Sequence, residues 1–165
     1  MPYHGEVLTS CGTVNIDLSN ASVIAVSGDG INACGHLLLY VPSGGGYYFH
    51  VAGVHEAPRY MTESGYRRYL TESGKRELRR RSLRLPDPAG AYLHLEGLLA
   101  EKWFWGAVPH NCVSFVEEII SAGGGDWGSY SNCPAVATSD SMTDRINRFY
   151  QWMESGIYGL YGVRR

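Results

Sequence analysis

The residues with the clearest chemical potential are a cysteine and a small set of histidines. The segment Pro109-His110-Asn111-Cys112-Val113-Ser114-Phe115-Val116-Glu117-Glu118 puts Cys112 in the first turn of an expected amphipathic helix. Unpaired backbone N–H groups and the positive end of the helix dipole gather there. Both favour thiolate over thiol, so the position is expected to lower the cysteine pKa. The same N–H groups can hold the oxyanion of a tetrahedral intermediate. The plain alternative is a small core residue, since free cysteine is often buried.

A thiol nucleophile needs a base and a group that orients the base. His36 opens the apolar run Gly35-His36-Leu37-Leu38-Leu39-Tyr40-Val41. A histidine beside three leucines loses solvation unless it has a partner, and a backbone carbonyl would serve as well as a catalytic one. His50 closes the aromatic stretch Tyr47-Tyr48-Phe49-His50. If the two runs pair as a hairpin, His36 and His50 can share a face. His55 competes for the third place, although it reads first as a solvated loop residue. Cys34 lies two residues before His36 and is the rival reactive thiol. Around Cys112, the candidates for substrate contact are Asn111, His110 and Trp105. His110 also reads simply as leading into the helix, and Trp105 as core or cleft wall.

The elements that must position these groups follow from pattern. Ala21–Val26 is short and rich in β-branched residues, with a turn at Ser27-Gly28-Asp29-Gly30. Gly35–Val41 is apolar without alternation, which predicts a strand buried on both faces. Pro42-Ser43-Gly44-Gly45-Gly46 is a turn, and Tyr47–Gly53 returns as the second strand of a hairpin. Asp87 is an expected helix N-cap with Pro88 at the first helical position. Tyr92, Leu95, Leu98 and Leu99 then recur at helical spacing as far as Lys102. The Cys112 helix ends at Ala122-Gly123-Gly124-Gly125, and a last amphipathic helix is expected over Ser141–Glu154. Nothing divides the 165 residues into two domains.

Composition excludes several classes. Hydrophobic residues make up 44% and the net charge is −2, which is inconsistent with disorder and gives no global sign of nucleic-acid binding. No apolar run approaches the roughly 20 residues that span a bilayer. The four cysteines, Cys11, Cys34, Cys112 and Cys133, match no zinc spacing. The first residues lack a basic and then apolar leader, so the expectation is a cytoplasmic protein, or one exported by a route without an N-terminal signal. Between Arg67 and Arg84, eight basic residues face two acidic ones. This stretch reads as a solvated helical face, with docking of an anionic partner as the alternative. Thr-Glu-Ser-Gly occurs at Thr62 and again at Thr71, too short a motif for a repeat architecture.

The order of these features resembles a known group. A glycine-histidine strand, a following strand with a polar residue, and then Asn111-Cys112-Val113-Ser114-Phe115 at a helix start are similar to the circularly permuted papain-like hydrolases. That group includes the permuted NlpC/P60 enzymes, the lecithin:retinol acyltransferase-like proteins and the PPPDE isopeptidases. The stretch from Asn111 to Gly123 looks most like the permuted NlpC/P60 version. The likeness covers about half the chain. A PPPDE protein would carry a second asparagine where this chain has Val113.

The resemblance implies an α+β fold with an antiparallel sheet packed against helices. It implies a nucleophile at Cys112, a general base at His36 and an orienting group matched best by His50. It also implies acyl transfer through a thioester on a peptide or acyl substrate, without metal or organic cofactor. The substrates implied are peptide amide bonds of the cell-wall type. A PPPDE-like isopeptidase or deamidase and an acyltransferase-like activity are the alternatives within the group. A bacterial effector or toxin delivered by specialised secretion is one setting that the small size would suit.

Overall fold

The computed structural model describes residues 1–7, 16–28, 35–51, 57–100 and 112–126. Its strands are β1 (Glu6–Val7), β2 (Asn20–Val26), β3 (His36–Val41), β4 (Tyr47–His50), β5 (Arg59–Thr62) and β6 (Glu77–Arg84). Its helices are α1 (Glu63–Glu72), α2 (Pro88–Ala100) and α3 (Cys112–Ala122). The strands form one antiparallel sheet in the order β1-β5-β4-β3-β2-β6. The fold is therefore α+β.

The apolar run of β3 has the two-sided burial expected of it. Leu37, Leu38, Leu39 and Val41 are each at most 1% exposed. Their side chains alternate between two cores, as the period of two in a strand requires. Leu37, Leu39 and Val41 join the apolar faces of α2 and α3, including Leu95, Leu99, Phe115 and Ile119. Leu38 joins Tyr48, Met61, Tyr66 and Tyr69 on the side of α1. The sheet thus separates a larger core under α2 and α3 from a smaller aromatic one under α1.

The hairpin runs through a 3₁₀ turn at Ser43–Gly45 and pairs Leu39 with Phe49, Tyr40 with Tyr48, and Val41 with Tyr47. Its second strand stops at His50, short of the expected Gly53. Gly35 has a positive φ of 72°, and a Cβ there would lie 2.0 Å from the Val26 carbonyl oxygen. No side chain fits, so glycine is required immediately before His36.

The helix ends follow their signals. Asp87 Oδ1 accepts from the Gly90 amide at 2.9 Å and caps α2. At the end of α3, the Gly124 amide donates to the Ser121 carbonyl and the Gly125 amide to that of Ile120, both at 2.9 Å. The two Thr-Glu-Ser-Gly copies lie at opposite ends of α1. Thr62 accepts from the Gly65 amide at the start, and the second copy forms the stop, with Gly74 at φ 60°.

The basic stretch departs from expectation. Only its first part is helical; Glu77–Arg84 is an edge strand. Its register against β2 sets Leu83 opposite Ala21 and Arg81 opposite Val23. Leu83 and Arg81 thus share one face of the strand and Arg80 and Arg84 the other, and the arginines of both faces are exposed. Pairing to a buried strand overrides the poor strand propensity of a run of arginines. The expected helix over Ser141–Glu154 lies outside the described residues.

Candidate functional site

His36 begins β3 and His50 ends β4. Continuing the observed register sets His50 opposite Leu38, and so puts both histidines on the α1 side of the sheet, diagonal to each other. Their rings lie edge to face with centroids 4.9 Å apart, and His36 Nε2 is 2.8 Å from His50 Nδ1. His50 is 1% exposed, and its Nε2 lies 2.9 Å from the His4 carbonyl oxygen. Its ring also meets that of Tyr69 in α1.

This chain of contacts fixes the protons. A carbonyl oxygen can only accept, so His50 Nε2 carries hydrogen. In the neutral ring, His50 Nδ1 is then the acceptor, so His36 Nε2 donates to it. The lone pair of neutral His36 falls on Nδ1, the nitrogen nearer the main chain.

Both imidazoles are held neutral. Burial, foremost, and the nearby His50, Lys75 and His4 push His36 well below its ordinary 6.5. Burial also takes His50 down to about 4, with the bond to His4 opposing and the charge of Arg59 assisting.

Cys112 is the first residue of α3 and carries a free thiol, partly exposed. It packs against the core on the α2 and α3 side. The amides of Leu37, of Cys112 itself and of Val113 reach its sulfur as hydrogen-bond donors. Here the expectation of a lowered pKa is corrected. Burial pushes the Cys112 thiol up, and the three amides only partly offset it. Desolvation of a thiolate outweighs the favourable end of a helix when the sulfur is set against a packed sheet.

The structure therefore brings His36 and His50 into direct contact. It sets Cys112 against the peptide that follows His36, approached from the other face of the sheet. Among the described contacts, His36 Nε2 goes to His50 and the sulfur goes to backbone amides. Trp105, His110, Asn111, His55 and Cys34 lie outside the described residues, as do Cys11 and Cys133.

The part that sequence reasoning missed is the His4 carbonyl. It is a main-chain group on a segment without a motif, brought to His50 by tertiary contacts that include the pairing of β1 with β5. Three further polar contacts lie outside the site. On the α1 face, Tyr48 Oη donates to Glu63 at 2.5 Å and Arg80 holds Glu77 through two nitrogens at 2.9 Å. Across the helices, His94 Nε2 lies 3.2 Å from Glu118. Each is satisfied internally. No helix among the described residues is long and apolar enough to cross a membrane. No family model, no curated protein and no solved structure matches the chain.

Proposed function

We propose that the chain is a cysteine hydrolase, an amidase or peptidase of the permuted papain-like type, with Cys112 as nucleophile, His36 as general base and His50 as its orienting partner. The observation that carries this reading is the chain from the His4 carbonyl through His50 to His36. It leaves His36 neutral with its lone pair on Nδ1, in the residue just before the Leu37 amide that reaches the Cys112 sulfur.

His36 Nδ1 takes the thiol proton as sulfur attacks the substrate carbonyl carbon. A C–S bond forms, and the carbonyl electron pair moves to oxygen. The amides at the start of α3 stabilise that oxyanion. The imidazolium returns the proton to the leaving nitrogen as the C–N bond breaks, giving a thioester and a free amine. Water, deprotonated by the same Nδ1, attacks the thioester, and the acid leaves with the thiol restored. Because the thiol is raised and the imidazole lowered, the resting pair is neutral, and proton transfer accompanies attack.

Peptide amides of the cell-wall type are the substrates proposed, and an isopeptide bond on a folded protein is the competing choice. A second reading, docking of an anionic partner, has the exposed arginines of the β6 edge strand in its favour.

The test uses an activated acyl donor, p-nitrophenyl acetate, with the modified residue mapped by mass spectrometry. The expected result is acetylation at Cys112 in the wild type, absent in Cys112→Ala. Labelling of Cys11, Cys34 or Cys133 in preference to Cys112 overturns the reading.

A further inference from the structure

We propose that the N-terminal segment is a working part of this site: the His4 carbonyl is the positioning group that sets the tautomer of His50, and through it that of His36, with Gly5 aiming the carbonyl. The inference rests on the hydrolase reading and adds to it an element outside the nucleophile, base and orienting histidine.

The segment is laid across α1 and β5 by several contacts that converge on His4. The Tyr3 amide donates to Glu72 at 2.8 Å, and the Arg68 guanidinium lies 4.4 Å above the Tyr3 ring. The Gly5 carbonyl accepts from Arg59 Nη1 at 2.9 Å. Glu6 pairs with Tyr60 and Val7 with Arg59. Between these anchors the chain turns at Gly5, whose φ is 92°. A Cβ on Gly5 would lie 2.7 Å from the Tyr60 carbonyl oxygen and 2.9 Å from Met61 Cγ. Any other residue must lift the segment off β5 and carry the His4 carbonyl away from His50.

The chemical consequence is specific. Without an acceptor at Nε2, neutral His50 is free to place its proton on Nδ1. That nitrogen then meets the Nε2 proton of His36 donor to donor, 2.8 Å away. Relief requires His36 to move its own proton to Nδ1, which removes the lone pair that the thiol needs. A main-chain oxygen two residues before a short edge strand thus decides whether the base is a base. A carboxylate orienter would hold the tautomer by its charge; a histidine orienter cannot, and so needs this second acceptor.

The test reads ring nitrogens by long-range ¹⁵N–¹H correlation spectra, alongside the rate of Cys112 acetylation by p-nitrophenyl acetate. In the wild type, both His36 and His50 are expected to carry hydrogen on Nε2. Gly5→Ala is expected to mix the tautomers of both rings and slow acetylation by on the order of 10- to 100-fold, the scale of a misplaced catalytic group. Glu72→Ala, which releases the Tyr3 amide at an exposed site, is expected to act in the same direction but less, and decides the matter if Gly5→Ala fails to fold.

A wild-type His50 with its proton on Nδ1 overturns the proposal. So do tautomers unchanged in the folded variants, and so does acetylation that holds while the tautomers shift. Failure of the wild type to acetylate at Cys112 overturns the hydrolase reading itself.

Discussion

At the scale of residues, His36 and His50 tie the site to the stability of the fold. Each has a folded-state pKa below its unfolded value, so each is neutral in the native protein while the unfolded chain takes up protons below about 6.5. Their contribution to stability is present above that pH and is lost as pH falls toward the folded values. For His50, with a folded value of about 4, the loss from pH 7 to pH 5 is about 2 kcal/mol. Carboxylates such as Glu63 and Glu77, held below 4.5, add their own loss only at more acid pH. Urea unfolding midpoints are therefore expected to drop between pH 7 and pH 5, and less so in His50→Phe. A midpoint flat across that range would contradict the neutral state of the pair. That His36 and His50 can share a face was legible from the hairpin; their direct contact was not, because the turn hides the register. Nor was the direction of the Cys112 pKa, because a helix position signals the dipole while burial depends on what the helix packs against.

Among the elements, those with strong local signals were the readable ones. β3 announced itself by four buried apolar residues, and α2 by Asp87 and Pro88 at its start. Asp87→Ala is expected to cost about 1 kcal/mol by stranding the Gly90 amide. Thermal unfolding would register it, and an unchanged midpoint would show the cap to be idle. Leu39→Ala, in the centre of the sheet, is expected to cost about 2–5 kcal/mol. β5, α1 and β6 were not legible, for a common reason. Their residues are mostly polar or basic, and their structure is imposed by neighbours: β6 by β2, α1 by the aromatic core beneath Tyr66 and Tyr69. The ion pairs along α1, Arg67 with Glu63 and Arg68 with Glu72, are exposed and add little.

On the scale of the whole molecule, the sheet holds the His36–His50 pair on its α1 side and packs Cys112 on its α2 and α3 side. Its strand β3 turns His36 toward α1 and the Leu37 side chain toward α2 and α3, and the Leu37 amide reaches the Cys112 sulfur. At one edge, β1 follows the His4 carbonyl that meets His50; at the other, β6 carries its arginines away from these contacts. A chain with this layout needs Gly35 as well as His36. Gly35→Ala is expected to displace the start of β3 and to abolish acylation, along with a loss of stability, because Val26 leaves no room for a Cβ. The α+β layout with an antiparallel sheet was an expectation of the family resemblance, to which the hairpin and the helical spacing added local support. The division of labour between the two faces was not readable, since it depends on which helices cover which side.

The most direct measurement is the pH dependence of Cys112 acetylation by p-nitrophenyl acetate in wild type and His36→Asn. With a neutral imidazole removing the thiol proton, the wild type is expected to be about 100-fold faster at pH 7. The gap should close as pH rises past the thiol pKa and solvent takes over deprotonation. Two profiles that run together from pH 6 to 10 would mean that His36 does not act on Cys112.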